Sequence, residues 1–277
     1  GLVFGAFAKF SFFKEDSAIP DFVRQWFDSL LPIMLLIAGG WLIVQVAGVD
    51  VAGAVQAVFM PLQSALTSPV GFVFFCFLKC FIYSMGISTW VLTPVDEPVK
   101  LAVITANLEL VAAGVATYQN LGIFTETFMF CTYLWIGGIG CTLSLCLLMM
   151  TICKSSELKA LGRACIVPGI FNINEPIIFG AIAWNPLLML PMWIQGIILP
   201  IVTYIFTKVI PFAPIPRIQF DLWYCPYPIS TFIATQGSIT GVIFAILTFV
   251  LSAVIWFPFV KAYDDQKVKE ETAAIKA

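Results

Sequence analysis

Long apolar runs separated by short polar ones dominate the chain. Residues 30–47 (LLPIMLLIAGGWLIVQVA) carry no charge, and residues 70–92, 127–152, 187–210 and 238–260 are comparably apolar. A helix of about 20 apolar residues crosses the hydrocarbon of a bilayer, so each of these runs predicts a membrane span. Residues 52–67 are shorter and interrupted by Pro61, which fits a helix lying in the interface. Residues 8–28 are polar enough for a membrane-surface loop. Between 94 and 120, Asp96, Glu97, Lys100, Asn107 and Glu109 alternate with apolar residues at roughly helical spacing, predicting an amphipathic helix beside a polar cavity. CKSSELKALGR (Cys153–Arg163) reads as a charged loop, 211–237 is rich in proline and reads as irregular or re-entrant, and KAYDDQKVKEETAAIKA (261–277) reads as a solvated tail.

One apolar segment breaks the pattern. GIFNINEPIIFGAIAWNP (Gly169–Pro186) places Asn172, Asn174 and Glu175 at the centre of a run that is otherwise apolar. A carboxylate at membrane depth costs about 2.5–3.5 kcal/mol on insertion scales, so it belongs against a partner or a wet cavity. Pro176 disfavours helical geometry at Glu175. The segment therefore predicts two half-helices meeting at a polar tip, a re-entrant hairpin that exposes side chains and backbone to a ligand. Amides and a carboxylate without a fixed cation suit a neutral polyol. The bland alternative is a polar cap that only satisfies the buried chain.

Composition sharpens the class. The chain has 277 residues, of which 60% are hydrophobic and 11% charged. Soluble domains carry about 45–50% apolar and 25% charged residues, so lipid must be the solvent for part of this chain. A net charge of −2 gives no basic surface for nucleic acid. Eight cysteines include no CxxC pair, and most lie in apolar runs, so they read as small hydrophobes and not as a disulfide framework. There is no histidine, which removes His-ligated metals, Ser–His triads and phosphohistidine chemistry from this chain. No metal or cofactor is expected. The first residues, GLVFGAFAKF, open inside an apolar run without a signal-peptide pattern. They suggest a fragment whose earlier helices precede it, or a processed terminus. The positive-inside rule puts 153–163 and the tail on the cytoplasmic side. The loop at 8–28 obeys that rule only with one crossing more than the clear spans supply.

Other polar residues carry weaker readings. Lys79, mid-span, is expected to form a structural ion pair with an acid such as Glu126 or Glu109; Asp96 and Glu97 read as solvated loop acids, with reach into a substrate cavity as the alternative, and Glu126 as a helix N-terminal acid. The small residues of GGIGC (137–141) read as helix-packing positions.

KSSELKALGRACIVPGIFNINEPIIFGAIAWNP resembles the signature of the lactose/cellobiose-type enzyme IIC of the bacterial phosphoenolpyruvate-dependent sugar phosphotransferase system. YLWIGGIGCTLSL, WYCPYPIS, WFPFVKAYD, LPIMLLIAGGWLI and YSMGIS resemble further family segments in the same order. The resemblance covers nearly the whole chain. It implies an all-α, polytopic transmembrane protein with re-entrant hairpins and an amphipathic helix. Residues 1–68 would end an N-terminal interface region, 69–260 form the sugar-transport domain, and 261–277 the cytoplasmic tail. It also implies a homodimeric permease of the bacterial inner membrane, C-terminus cytoplasmic, that binds a β-linked disaccharide-like sugar. A separate enzyme IIB subunit would pass a phosphoryl group from its phosphocysteine to the sugar's 6-hydroxyl. By the same resemblance Glu175 holds that hydroxyl and takes its proton, Asn172 and Asn174 shape the tip, and Trp223 offers its face to the sugar ring. The family commonly has Gly-Ile-His-Gly where this chain reads Gly86-Ile87-Ser88-Thr89, so Ser88 stands where a sugar-contacting histidine is usual. A non-phosphorylating sugar facilitator or sensor is the alternative that this departure raises. An ion channel is a further alternative with little in the sequence to favour it.

Overall fold

The computed structural model describes residues 2–7, 10–13, 21–50, 54, 58 and 62–276. The chain divides into two compact units, Gly1–Ala57 and Val58–Ala277. The first unit contains α1 (Leu2–Ala6) and α2 (Asp21–Trp41), the latter continued by a π-helical turn, Leu42–Val46. The surface loop expected at 8–28 is thus already helical from Asp21, and its residues 8, 9 and 14–20 lie outside the described part. Most of the expected interfacial helix at 52–67 lies outside it too, and residues 62–67 are helical.

The second unit is built from α3 (Pro69–Ser84), α4 (Thr93–Ala112), α5 (Glu126–Cys131), α6 (Leu143–Thr151), α7 (Ser156–Ile170), α8 (Pro186–Tyr204), α9 (Ile229–Ala234) and α10 (Ile239–Lys276). There is no strand among the described residues. Three described helices are long and apolar enough to cross a membrane: Val23–Val46, Pro186–Val209 and Ile239–Ala274. The run at 70–92 is shorter as a helix, 16 residues, ending before a 3-10 turn at Thr89–Leu92. Its start is written locally: Ser68 accepts a hydrogen bond from the Gly71 amide at 3.0 Å, and Pro69 occupies the first helical position, where its missing N–H costs nothing. α8 packs against α3 and α10. Gly196 permits the first contact, because a Cβ there would lie 2.9 Å from the Phe77 Cα.

The expected span at 127–152 is instead two short helices with a non-helical stretch between them. Gly137, Gly138 and Gly140 adopt φ of 81°, 93° and 87°, and Cys141 φ of 52°. These left-handed values end a helix, and glycine reaches them without strain. The glycines serve a turn buried in the protein and not a helix–helix seam. Buried polar groups tie this turn to its surroundings. Ser252 on α10 donates to the Cys141 carbonyl at 3.1 Å and lies 2.8 Å from the Ser144 hydroxyl of α6. Gln195 of α8 donates to the Ser252 hydroxyl and carbonyl at 2.8 and 3.0 Å. In an apolar environment such groups must find partners inside the protein.

Two further expectations change at the C-terminal end. Residues 156–163, read as a loop, form the first half of α7, and the tail, expected to be solvated, continues α10 as a helix that buries Asp264. Ser155 caps α7, accepting from the Leu158 amide at 3.2 Å, with Glu157 in the first turn. The N-terminal amides then meet acids from the tail. Asp264, buried, accepts from the Lys154 and Ser155 amides at 2.8–2.9 Å. Glu271 accepts from the Glu157 and Ser156 amides at 3.0 and 3.2 Å and from the Ser155 hydroxyl at 2.7 Å. The tail therefore docks as a carboxylate clamp on the orphan donors of a helix start. Beside it, burial and the neighbouring Asp264 carboxylate push the Cys153 thiol up to about 12, so it remains an unreactive thiol. Replacing Asp264 by Asn removes a charged acceptor and is expected to cost about 1.5–3 kcal/mol. Thermal unfolding in detergent reads this out; an unchanged midpoint would contradict the clamp.

Candidate functional site

α7 stops at Phe171 because Asn172 takes φ of 60°. Its amide donates to the Gly169 carbonyl and the Ile173 amide to the Pro168 carbonyl, both at 3.0 Å. This is a Schellman stop with asparagine in the left-handed position, a residue that tolerates it. Asn174 then precedes a single helical turn, Glu175–Ile177, so Glu175 is helical despite the proline after it, because Pro176 sits in the first turn where its missing N–H costs nothing; the turn runs into a π-turn, Ile178–Ile182. The expected interrupted hairpin is present, with Asn172, Asn174 and Glu175 at its tip.

The two tip amides are committed to the frame. Asn172 Oδ1 accepts from the Gly137 amide at 2.7 Å, and its Nδ2 donates to the Trp223 carbonyl. Asn174 Nδ2 donates to the Ile139 carbonyl at 2.9 Å, while its Oδ1 accepts from the Tyr83 hydroxyl at 3.4 Å. Both side chains are buried. Gly138 is required beside them, because a Cβ there would lie 2.4 Å from the Asn174 Cγ. Two asparagines thus join the hairpin tip to the glycine turn, to the backbone of the proline-rich segment at Trp223 and to α3. Glu175 is left as the solvent-reaching group of the tip, with Tyr83 beside it.

A cavity of about 350 Å³ opens at this junction. Its tip side carries Asn172, Asn174, Glu175 and Tyr83; Trp223, Asp221 and Gln219 line it from the proline-rich segment. α4 contributes Glu97, Lys100, Leu101 and Ile104, and α5 contributes Glu126, Thr127 and Phe130. Four of the five residues singled out from the sequence therefore share one cavity. Ser88 does not line it: it is exposed, and its hydroxyl accepts from the Trp90 amide at 3.4 Å, capping the short 3-10 turn. Its neighbour Thr89 does face the cavity.

The ionic wall of the cavity differs from expectation. Lys79 pairs with Asp96 at 2.6 Å, not with Glu126 or Glu109, and both partners are buried. Its ammonium also lies 5.2 and 5.7 Å from the ring centres of Phe75 and Phe130. Lys100 lies 2.6 Å from both Glu97 and Glu126 and 3.7 Å from Asp96. Asp96 is thus a buried structural acid and not a loop acid. It starts α4 in its first turn, which pays part of its burial through the helix dipole. Spacing within α4 puts Asp96 and Lys100 four residues apart on one face; the partnership with Lys79 depends on α3 and α4 being brought together, which no local pattern states. Among the described residues no group of acids or thiols has metal-ligand geometry.

Comparison with known proteins decides the family. Residues 3–196 match the family model described as Phosphotransferase system, EIIC. The chain belongs to this family. This EIIC chain is 33% identical over 261 residues to the PTS system lactose-specific EIICB component of Lactococcus lactis subsp. lactis, covering 91% of the chain and 44% of that relative. It is 32% identical over 267 residues to the PTS system cellobiose-specific EIIC component of Geobacillus stearothermophilus, covering 94% of the chain and 58% of that relative. The EIIC chain therefore spans about half the length of the curated relatives it matches. Its fold matches the crystal structure of the transporter ChbC, the IIC component from the N,N'-diacetylchitobiose-specific phosphotransferase system, with a TM-score of 0.72 and 30% identity over 94% of this chain and 61% of that one.

Proposed function

We propose that the protein is the membrane permease component of a sugar phosphotransferase system. It binds a β-linked disaccharide-like sugar in the cavity under the hairpin tip and moves it across the bacterial inner membrane as a homodimer, C-terminus cytoplasmic. Phosphorylation of the sugar's 6-hydroxyl accompanies this movement. The observation that carries the proposal is the division of labour at the tip. Asn172 and Asn174 hold the frame, and Glu175 is the acid left facing the cavity. The cavity has the size of a small-molecule site, roughly 300–1,000 Å³. Trp223 gives it an apolar ring face for the C–H side of a pyranose.

In this reading the sugar's 6-hydroxyl donates to Glu175. The partner enzyme IIB presents a phosphocysteine. Its S–P bond breaks as the 6-oxygen attacks phosphorus, an O–P bond forms, and Glu175 takes the hydroxyl proton. The cysteine leaves as thiolate. The relatives' names support a glycosidic disaccharide substrate, and the relatives called EIICB carry that partner's name within their own. The competing reading, a facilitator or sensor that does not phosphorylate, draws on Ser88 lying outside the cavity lining. Proteoliposome uptake separates the two. Accumulation of sugar phosphate only when phosphorylated enzyme IIB is present is the expected result; saturable uptake independent of it would overturn the phosphotransferase reading. Trp223→Ala is expected to weaken sugar binding by about three- to tenfold, since a ring contact contributes roughly 0.5–1.5 kcal/mol beyond area burial. Equilibrium dialysis with labelled cellobiose and lactose measures it, and unchanged affinity would remove Trp223 from the site.

A further inference from the structure

The charged residues that line the cavity are unequal in sign. Glu97, Glu126, Glu175 and Asp221 face it against Lys79 and Lys100, and both lysines are already engaged. Lys79 is locked to Asp96 at 2.6 Å, and Lys100 sits between Glu97 and Glu126 at 2.6 Å each. Glu175 and Asp221 have no cation among their described ion pairs. No arginine is among the described lining residues, so nothing offers the forked donor set that phosphate sites use.

We propose that this cavity is an electrostatic one-way filter: it holds the neutral sugar and expels the phosphorylated product. The inference rests on the phosphorylation reading above. A phosphate monoester carries about −1.5 to −2 charge at neutral pH. Attached where Glu175 held the hydroxyl, it stands in a cavity with a net negative wall, facing Asp221 and, once Glu175 has passed on the proton it took, a second carboxylate. Like charges a few ångströms apart in a partly desolvated site repel strongly, whereas a neutral sugar feels no such force. Asp96, Glu97 and Glu126 take part as positioning residues, because their pairing with Lys79 and Lys100 keeps both ammonium groups from becoming phosphate ligands. The transferred group thus converts a ligand into a repelled one, and product leaves without a separate trigger.

The test is binding to purified protein in detergent. Probes are lactose, cellobiose and N,N'-diacetylchitobiose, each neutral and each as its 6-phosphate ester. For the best-bound neutral sugar, the ester is expected to bind at least about thirtyfold more weakly at low salt. Raising ionic strength from about 0.05 to 0.5 M is expected to narrow that gap while leaving the neutral sugar unchanged. Glu97→Gln and Asp221→Asn, at a half-buried and an exposed position of the lining, are each expected to narrow the ratio of neutral-sugar to ester affinity by about threefold or more. An ester bound within about twofold of its neutral parent, or a gap that neither salt nor these substitutions alter, overturns the filter while leaving the sugar site intact. Failure of every neutral sugar to bind overturns the proposed function itself, and the filter with it.

Discussion

Glu175→Gln is expected to lower sugar phosphorylation by about 10²–10⁴-fold, the range that a positioned general base contributes. Glutamine keeps the volume and the hydrogen-bonding reach but cannot accept the hydroxyl proton. The effect should fall mainly on phosphoryl transfer, with sugar binding reduced by a smaller factor, about tenfold, for loss of one charge-assisted hydrogen bond. The local frame should survive, because the tip is fixed by Asn172 and Asn174 and not by Glu175. Single-turnover phosphorylation with phosphorylated enzyme IIB, beside equilibrium sugar binding, separates the two losses. Wild-type phosphorylation by the variant would end Glu175's assignment. Lys79→Met offers the contrast: among correctly folded molecules it should lower phosphorylation and sugar binding far less than Glu175→Gln does.

The largest expected stability effect lies at Lys79 itself. Removing one member of a buried pair strands its partner's charge and costs about 3–5 kcal/mol. Asp96 is 1% exposed and would retain, among its described ion pairs, Lys100 at 3.7 Å, a cation already shared with Glu97 and Glu126. Lys79→Met should therefore lower the detergent melting midpoint by roughly 6–20 °C, using about 2–4 °C per kcal/mol for a chain of this size. Lys79→Met with Asp96→Leu removes both charges and should recover at least half of that loss, since apolar replacement of a whole buried pair is often neutral. Failure of the double substitution to recover would mean that the lysine's packing on Phe75 and Phe130, and not its charge, does the stabilising.

How much of this was written in the sequence differs from residue to residue. The hairpin was legible because its signals are local: two amides, a carboxylate and a proline inside an apolar run. The start of α7 was equally local, with Ser155 as cap and Glu157 in the first turn, but the charges around it masked the helix as a loop. The glycine turn at 137–141 was misjudged because small residues serve both close helix packing and left-handed turns, and apolar neighbours favoured the first reading. Asp264 and Glu271 looked like ordinary solvated acids, since their donors lie more than a hundred residues earlier in the chain. The Lys79–Asp96 pair was likewise invisible as a specific pair, although a lysine inside an apolar run announced that some acid must meet it. Family resemblance pointed to Trp223 and Ser88 together, and only the first lines the cavity.

The tip asparagines bond almost wholly to backbone: the Gly137 amide and the carbonyls of Ile139 and Trp223. Such partners are present whatever side chain a residue carries. Positions 139 and 223 can therefore exchange side chains, and on the proposed function with them the sugars accepted, while the architecture that presents Glu175 stays put. Diversification of cargo is in this way decoupled from the risk of unfolding.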